Sequence, residues 1–236
     1  APKLANYDYL SCNFRDIKTN TTLLDPYKIY NAEGKKVAVI GISTPETLTK
    51  SNPAYFKNEA GEWIYDFSND TTGELLYSAV QTAVDDAKEE GADYIIAVGH
   101  LGTDEESEPW TSTEVIANTN GIDAFIDGHS HSTFNTVAVN DKGEEIPTVQ
   151  TGTKLENVGC LTIDDNGNIS SELIPIDETV EEDADVKEYI DSITAEFEET
   201  KNEVVASTEV KLTTTDPATG ERIIRNRETN LGDLCA

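Results

Sequence analysis

The 236-residue chain has no methionine, three cysteines, three histidines and 17 basic residues against 46 acidic ones. Each scarcity excludes something. The formal charge of −29 argues against nucleic acid or anionic lipid as a partner, because phosphate attracts Lys and Arg rather than carboxylates. Most of that acidity reads as a solvated surface. Cys12, Cys160 and Cys235 show no C-x-x-C spacing, so zinc knuckles and dithiol redox motifs fall away. Cys12 and Cys160 lie in apolar runs and are expected to be small buried hydrophobes. No run approaches about 18 consecutive apolar residues, so no membrane-spanning helix is encoded. There is no initiator Met and no signal-peptide pattern, and the chain stops abruptly at "LGDLCA". It reads as a piece of something longer.

The first two thirds alternate strand and helix signals. "YDYLSCNF" (7–14) and "KKVAVIGIS" (35–43) are short apolar runs bounded by polar turns and are expected as strands. Over 72–91, Leu76, Ala79, Val80, Ala83, Val84 and Ala87 share one face at helical spacing, with Asp70 or Thr71 to cap the start and Gly91 to end it. "DYIIAVGH" (93–100) predicts a strand buried on both faces. A short helix over 112–120 and a strand over 122–129 follow. Residues 134–152 and 156–176 read as hairpins turning at "NDKGE" and "DDNGN". The succession predicts an α/β layered domain with a mixed sheet. From 177 to 205 the composition turns strongly acidic, and Val186, Ile190, Ile193, Phe197 and Val204 are spaced along one face of a helix. Residues 206–236 begin something new.

The histidines are concentrated where strands end. His100 closes "DYIIAVGH", and His129 and His131 follow "IDAFIDG". In an open α/β sheet, ligands bind outside the strand C-terminal ends. A glycine before each histidine is expected to let the backbone turn sharply and bring the imidazole close to a ligand. Neutral imidazole is the commonest metal ligand. Asp104 and Asp127 are candidate ligands, or carboxylates that orient the histidines. Three histidines on two strand ends do not close a metal site alone, so further donors must come from elsewhere.

"GHLG" (99–102) and "GIDAFIDGHSH" (121–131) resemble the last two metal-binding blocks of the calcineurin-like metallophosphoesterases, in their 5′-nucleotidase and UDP-sugar hydrolase branch. "YLSCNF", "KVAVIGISTPET" and "VQTGTKLENVGCLTI" share that branch's flavour, and "RNRETNLGDLCA" is similar to the opening of its C-terminal nucleotide-binding domain. The resemblance implies an α/β/β/α sandwich with mixed sheets, present here in part over residues 1–176. An acidic linker helix over 177–205 and the start of a substrate-binding domain over 206–236 complete the implied order. It further implies a centre of two divalent cations, Zn, Mn or Co, with His100 and His129 on one and His131 on the other. Arg225, with Arg227 as the next candidate, is implied to grip the substrate phosphate, since a guanidinium donates two parallel hydrogen bonds.

The chain departs from the family's pattern in lacking the D-x-H, G-D and G-N-H-E/D blocks that precede a "YLSCNF"-like strand. With them go the bridging Asp and the catalytic His, so no catalytic residue is expected here and the piece alone is expected to be nearly inactive. For the whole protein the resemblance implies hydrolysis of nucleotide or nucleotide-sugar phosphoesters outside the cytoplasm, whether secreted, at the cell surface or periplasmic. A 2′,3′-cyclic-nucleotide phosphodiesterase or UDP-sugar hydrolase on the same scaffold, and a non-catalytic surface binding module, are the alternatives.

Overall fold

The computed structural model describes residues 4–204, 206–220, 223–224 and 227–235, the side chain of Glu199 excepted. They divide into two compact units, 1–180 and 181–236. In the first, the strands are β1 (Arg15–Asp16), β2 (Thr21–Thr22), β3 (Tyr27–Ala32), β4 (Lys35–Ser43), β5 (Tyr65–Asp66), β6 (Tyr94–His100), β7 (Ala124–Asp127), β8 (Thr133–Val139), β9 (Glu145–Thr151), β10 (Asn157–Ile163) and β11 (Ile169–Pro175). Its helices are α1 (Thr47–Lys50), α2 (Glu74–Glu89) and α3 (Ser112–Ala117).

Six strands form one mixed sheet in the order β3-β4-β6-β7-β9-β8. The four central strands, β4, β6, β7 and β9, run parallel, and β3 and β8 close the edges antiparallel. Alternation along β4 turns Ala38, Ile40 and Ile42 to one face, where they join Ile95, Ala97 and Phe125 beneath α2 and α3. The helices answer with Leu76, Tyr77, Val80, Val84, Ala87, Val115 and Ile116, all buried. Burying each large side chain contributes about 1.5–3 kcal/mol. This is the mixed α/β architecture expected from the strand and helix pattern.

Helix α2 ends as its sequence predicts. Gly91 takes φ +86°, and the Gly91 and Ala92 N–H groups donate to Lys88 and Ala87 carbonyls at 2.9 and 3.0 Å. That pair of bonds is a Schellman motif, and a residue with a Cβ at Gly91 would be strained. Its start differs: the cap is Gly73 at φ +81° rather than Asp70 or Thr71, and Tyr77 packs where a Gly73 side chain would lie.

Three expectations are corrected. Residues 7–14 form no strand; they make a single bridge, Leu10 with Asp25, and Cys12 N donates to Gly41 O at 2.8 Å. The Asn13 amide does the work of a ladder there, giving Nδ2 to the Ser43 and Phe67 carbonyls (2.7 and 2.8 Å) and accepting from Ser43 N (2.9 Å). Strand β6 is not buried on both faces, for Val98 is 39% exposed on the side away from the helices. Cys160, on β10, is only half-buried, whereas Cys12 is in the core.

In the second unit, α4 (Ala184–Lys201) starts at Asp183, whose carboxylate accepts from the Asp185 and Val186 N–H groups at 3.0 Å. The helix is shorter than the 177–205 stretch, and Val204 lies beyond it. Val186, Ile190, Ile193 and Phe197 of its apolar stripe are all exposed. A short α5 (Asn230–Cys235) follows, with Asn230 Oδ1 accepting from Thr213 N at 2.8 Å.

Candidate active site

The parallel core of the sheet delivers one polar group after another to the same edge. His100 is the last residue of β6, His129 lies two residues beyond β7, and Glu46 lies three beyond β4. All three strands run parallel, so their C-terminal ends open on one crevice. The His100 and His129 rings meet edge-to-face with centroids 4.9 Å apart. Glu46 Oε2 lies 2.6 Å from His129 Nε2, and both side chains are largely buried, 11% and 13% exposed. Ser107 Oγ donates to the same Glu46 oxygen at 2.8 Å, and Lys50 Nζ sits 2.9 Å from Oε1.

The glycines of the two Gly-His pairs serve space rather than rotation. Neither Gly99 nor Gly128 takes positive φ; His129 (+84°) and His131 (+56°) do instead. A Cβ on Gly99 would stand 2.7 Å from the Phe125 ring, and one on Gly128 would stand 3.1 Å from His100 Nδ1. The turn is thus made by the histidines, in a region that costs a residue with a side chain on the order of 1–3 kcal/mol. Strain of that kind persists where the surroundings overdetermine it.

The surroundings here are Asp127 and Gln150. Buried Asp127 uses Oδ1 to accept from Leu101 N (3.0 Å) and Gly102 N (3.2 Å), which fixes the chain leaving His100. Gln150, at the end of β9 and 1% exposed, accepts from Ser132 N (2.7 Å) and Ser130 Oγ (3.0 Å) and donates to Gly128 O (3.2 Å). Asp127 therefore holds the backbone after His100, and its hydrogen bonds go to Leu101, Gly102 and Gln150 rather than to an imidazole. Asp104 is exposed at the start of a short 3-10 turn, Glu105–Ser107.

The electrostatics favour a neutral His100. Partial burial, the neighbouring His129 and, more weakly, His131 hold it below the ordinary histidine range against the opposing pull of Asp127. Burial pushes Glu46 up, but hydrogen bonds from Lys50, Ser107 and His129 outweigh it and leave the carboxyl below its usual range.

Of the other candidates, His131 is exposed at the rim of this turn. Arg225 lies outside the described residues. Arg227, in the second unit, pairs with Asp216 Oδ2 at 3.5 Å and is exposed. The sequence reading missed Glu46, Ser107 and Gln150 as parts of the site. No spacing links them to the histidines; only the strand order brings them together.

The donors present suit a divalent cation in kind: two adjacent imidazoles, one with its second nitrogen on a carboxylate. They do not complete a coordination sphere, for among the described residues no group of three or more His, Cys, Asp or Glu side chains is placed to hold an ion.

No protein-family profile matches the chain. It is 29% identical over 245 residues to the trifunctional nucleotide phosphoesterase protein YfkN of Bacillus subtilis, covering 100% of this chain and 15% of that protein. It is 27% identical over 259 residues to a snake venom 5′-nucleotidase of Crotalus adamanteus, covering 98% and 39%. Its fold matches the crystal structure of a 5′-nucleotidase precursor from Thermus thermophilus with a TM-score of 0.65 at 24% identity, over 98% of this chain and 45% of that one. The chain is a homologue of proteins named as a nucleotide phosphoesterase and a 5′-nucleotidase. It spans less than half the length of these relatives.

Proposed function

We propose that the chain contributes part of the active site of a metal-dependent phosphohydrolase that removes phosphate from nucleotides, acting outside the cytoplasm. The observation that carries this reading is the pairing of His100 and His129 at the ends of adjacent parallel strands, 4.9 Å apart by ring centroid and with a carboxylate on His129. Relatives named as nucleotide phosphoesterase and 5′-nucleotidase support the substrate class. The name of the venom relative supports the location, and among the described residues no helix is long and apolar enough to cross a membrane.

In this reading His100, His129 and His131 are the chain's share of ligands for two divalent cations, and Arg225 with Arg227 its phosphate-binding share. Bound divalent cations supply such hydrolases with a polarised phosphoryl oxygen and a more acidic water. The chain's own residues do the holding: Gln150 and Asp127 fix the backbone on both sides of the crevice, and His100 is kept neutral and so able to donate an electron pair. Residues 1–176 form the metal-binding part, 177–205 the linker and 206–236 the start of the substrate-binding part.

The test is a titration of the chain with Zn²⁺ by calorimetry, for wild type, His100→Ala and His129→Ala. Each substitution is expected to weaken binding by at least about tenfold. Affinity unchanged in both variants would remove the histidine pair from metal binding. In the protein at its full natural length, the same substitutions are expected to abolish phosphate release from 5′-AMP.

A further inference from the structure

One group in the crevice is committed more firmly than the histidine it touches. Glu46 is gripped from three sides: by His129 Nε2 (2.6 Å), by the hydroxyl of Ser107 (2.8 Å), itself 1% exposed, and by Lys50 (2.9 Å). Those contacts tie the loop after β4 to the loop after β6 and to the turn after β7. A carboxylate at neutral pH only accepts hydrogen bonds, so the contact requires the proton of a neutral His129 ring to sit on Nε2. Nδ1 is then the nitrogen that carries the lone pair.

We infer that Glu46 is a positioning residue, which fixes the tautomer and ring orientation of His129 so that Nδ1 is the atom presented to a divalent cation. The inference rests on the reading of His129 as a metal ligand, and adds to it the identity of the coordinating atom and of the residue that selects it. Geometry carries it. The Nε2 side of the ring faces a fixed acceptor, and the backbone at His129 sits at φ +84°, a conformation that a merely surface-filling histidine has no reason to adopt. Carboxylates that orient a ligand histidine through its other nitrogen are worth roughly 10–100-fold in metal affinity. Ser107 acts one step further out, since its hydroxyl holds the same oxygen that His129 uses.

The experiment uses the 236-residue chain labelled with ¹⁵N-histidine at pH 8, with Glu46→Gln, Glu46→Ala and His129→Ala compared with wild type. Long-range ¹H–¹⁵N spectra of the metal-free protein report which ring nitrogen of His129 bears the proton, and calorimetric titration with Zn²⁺ reports affinity. Wild type is expected in the Nε2–H form. Glu46→Gln keeps an acceptor and is expected to keep the tautomer and most of the affinity. Glu46→Ala is expected to give mixed tautomers and to weaken Zn²⁺ binding by about 10–100-fold. A wild-type spectrum with the proton on Nδ1, or an unchanged tautomer in Glu46→Ala, overturns the inference. Unchanged Zn²⁺ affinity in His129→Ala overturns the ligand reading instead; the tautomer spectra need no metal and separate the two failures. If Glu46→Ala does not fold, Ser107→Ala replaces it, with the same direction and a smaller loss expected; no change in either readout in that variant counts against the inference.

Discussion

Asp127 is the residue whose removal most directly tests how the crevice is held. It is 7% exposed, and its Oδ1 is the hydrogen-bond acceptor for the Leu101 and Gly102 N–H groups at 3.0 and 3.2 Å. Both residues are buried, Leu101 at 0% exposure, so Asp127→Ala strands two donors away from bulk water. Each stranded donor costs about 1–3 kcal/mol, which puts the total near 4 kcal/mol. For a chain of this size a loss of 1 kcal/mol lowers Tm by about 2–4 °C, so the shift expected is about 8–16 °C.

The aspartate also accepts from Gln150 Nε2 at 3.5 Å, a long contact that adds little. Asp127→Asn keeps an oxygen acceptor in place and loses only the charge, at a cost of about 1 kcal/mol. The assay is urea unfolding followed by tryptophan fluorescence, because Trp63 and Trp110 both lie in the first unit. The result that refutes the reasoning is an Asp127→Ala midpoint that, at unchanged m, lies within about 0.5 kcal/mol of wild type. Water would then be reaching those amides, and the loop after His100 would be held by something else.

Gly99→Ala is expected to cost about 1–3 kcal/mol by overpacking, since the new methyl would stand 2.7 Å from the buried Phe125 ring; a melting curve that matches wild type contradicts it. The Cys12 thiol, pushed up to about 12 by burial, should react with a thiol reagent at pH 8 on the order of a hundredfold more slowly than exposed Cys235. Equal rates for the two in native protein would place Cys12 outside the core. Burial raises the Asp123 carboxyl above its usual range, against the opposing Ile95 N–H and Lys88. A raised folded pKa means stability that is present below the unfolded value and lost as pH rises through the folded one. Wild type should therefore lose stability relative to Asp123→Asn as pH climbs from about 4 towards neutrality, as read from urea midpoints of both proteins; a difference that moves the other way defeats the assignment.

What could be read from the sequence, and what could not, divides along a physical line. Local signals survived. The apolar runs ending in Gly-His became parallel strands, and the helix over 72–91 ended at Gly91 as its left-handed cap demanded. The hairpins turned where Asn-rich loops said they would, with Asn140 Oδ1 accepting from the Lys142 and Glu144 N–H groups at 3.0 and 2.9 Å. Residues 7–14 misled because an apolar, aromatic run predicts a strand only if its backbone groups find a ladder. There the side-chain amide of Asn13 took the partners a neighbouring strand would have offered. Glu46, Ser107 and Gln150 were silent because each is an ordinary polar residue until the strand order places it.

That order supplies the logic of the crevice. Reading across the sheet, β4, β6, β7 and β9 contribute Glu46, His100, the Asp127 to His131 turn and Gln150 in turn. Asp127 Oδ1 accepts from backbone N–H groups, Gln150 Oε1 accepts from backbone and from the Ser130 hydroxyl, and the Glu46 carboxylate bonds to other side chains. Only His100 and His129 are left facing each other as nitrogen donors, with no cation in their neighbourhood other than Lys50 beyond Glu46 among the described contacts. A site meant simply to stabilise the fold would not place His129 and His131 in left-handed backbone and ring the turn with fixed acceptors, because apolar filling of the same space costs less. The strain is understandable if the histidine pair must meet a ligand in one orientation, and the tautomer of His129 is the detail in which that orientation can be measured.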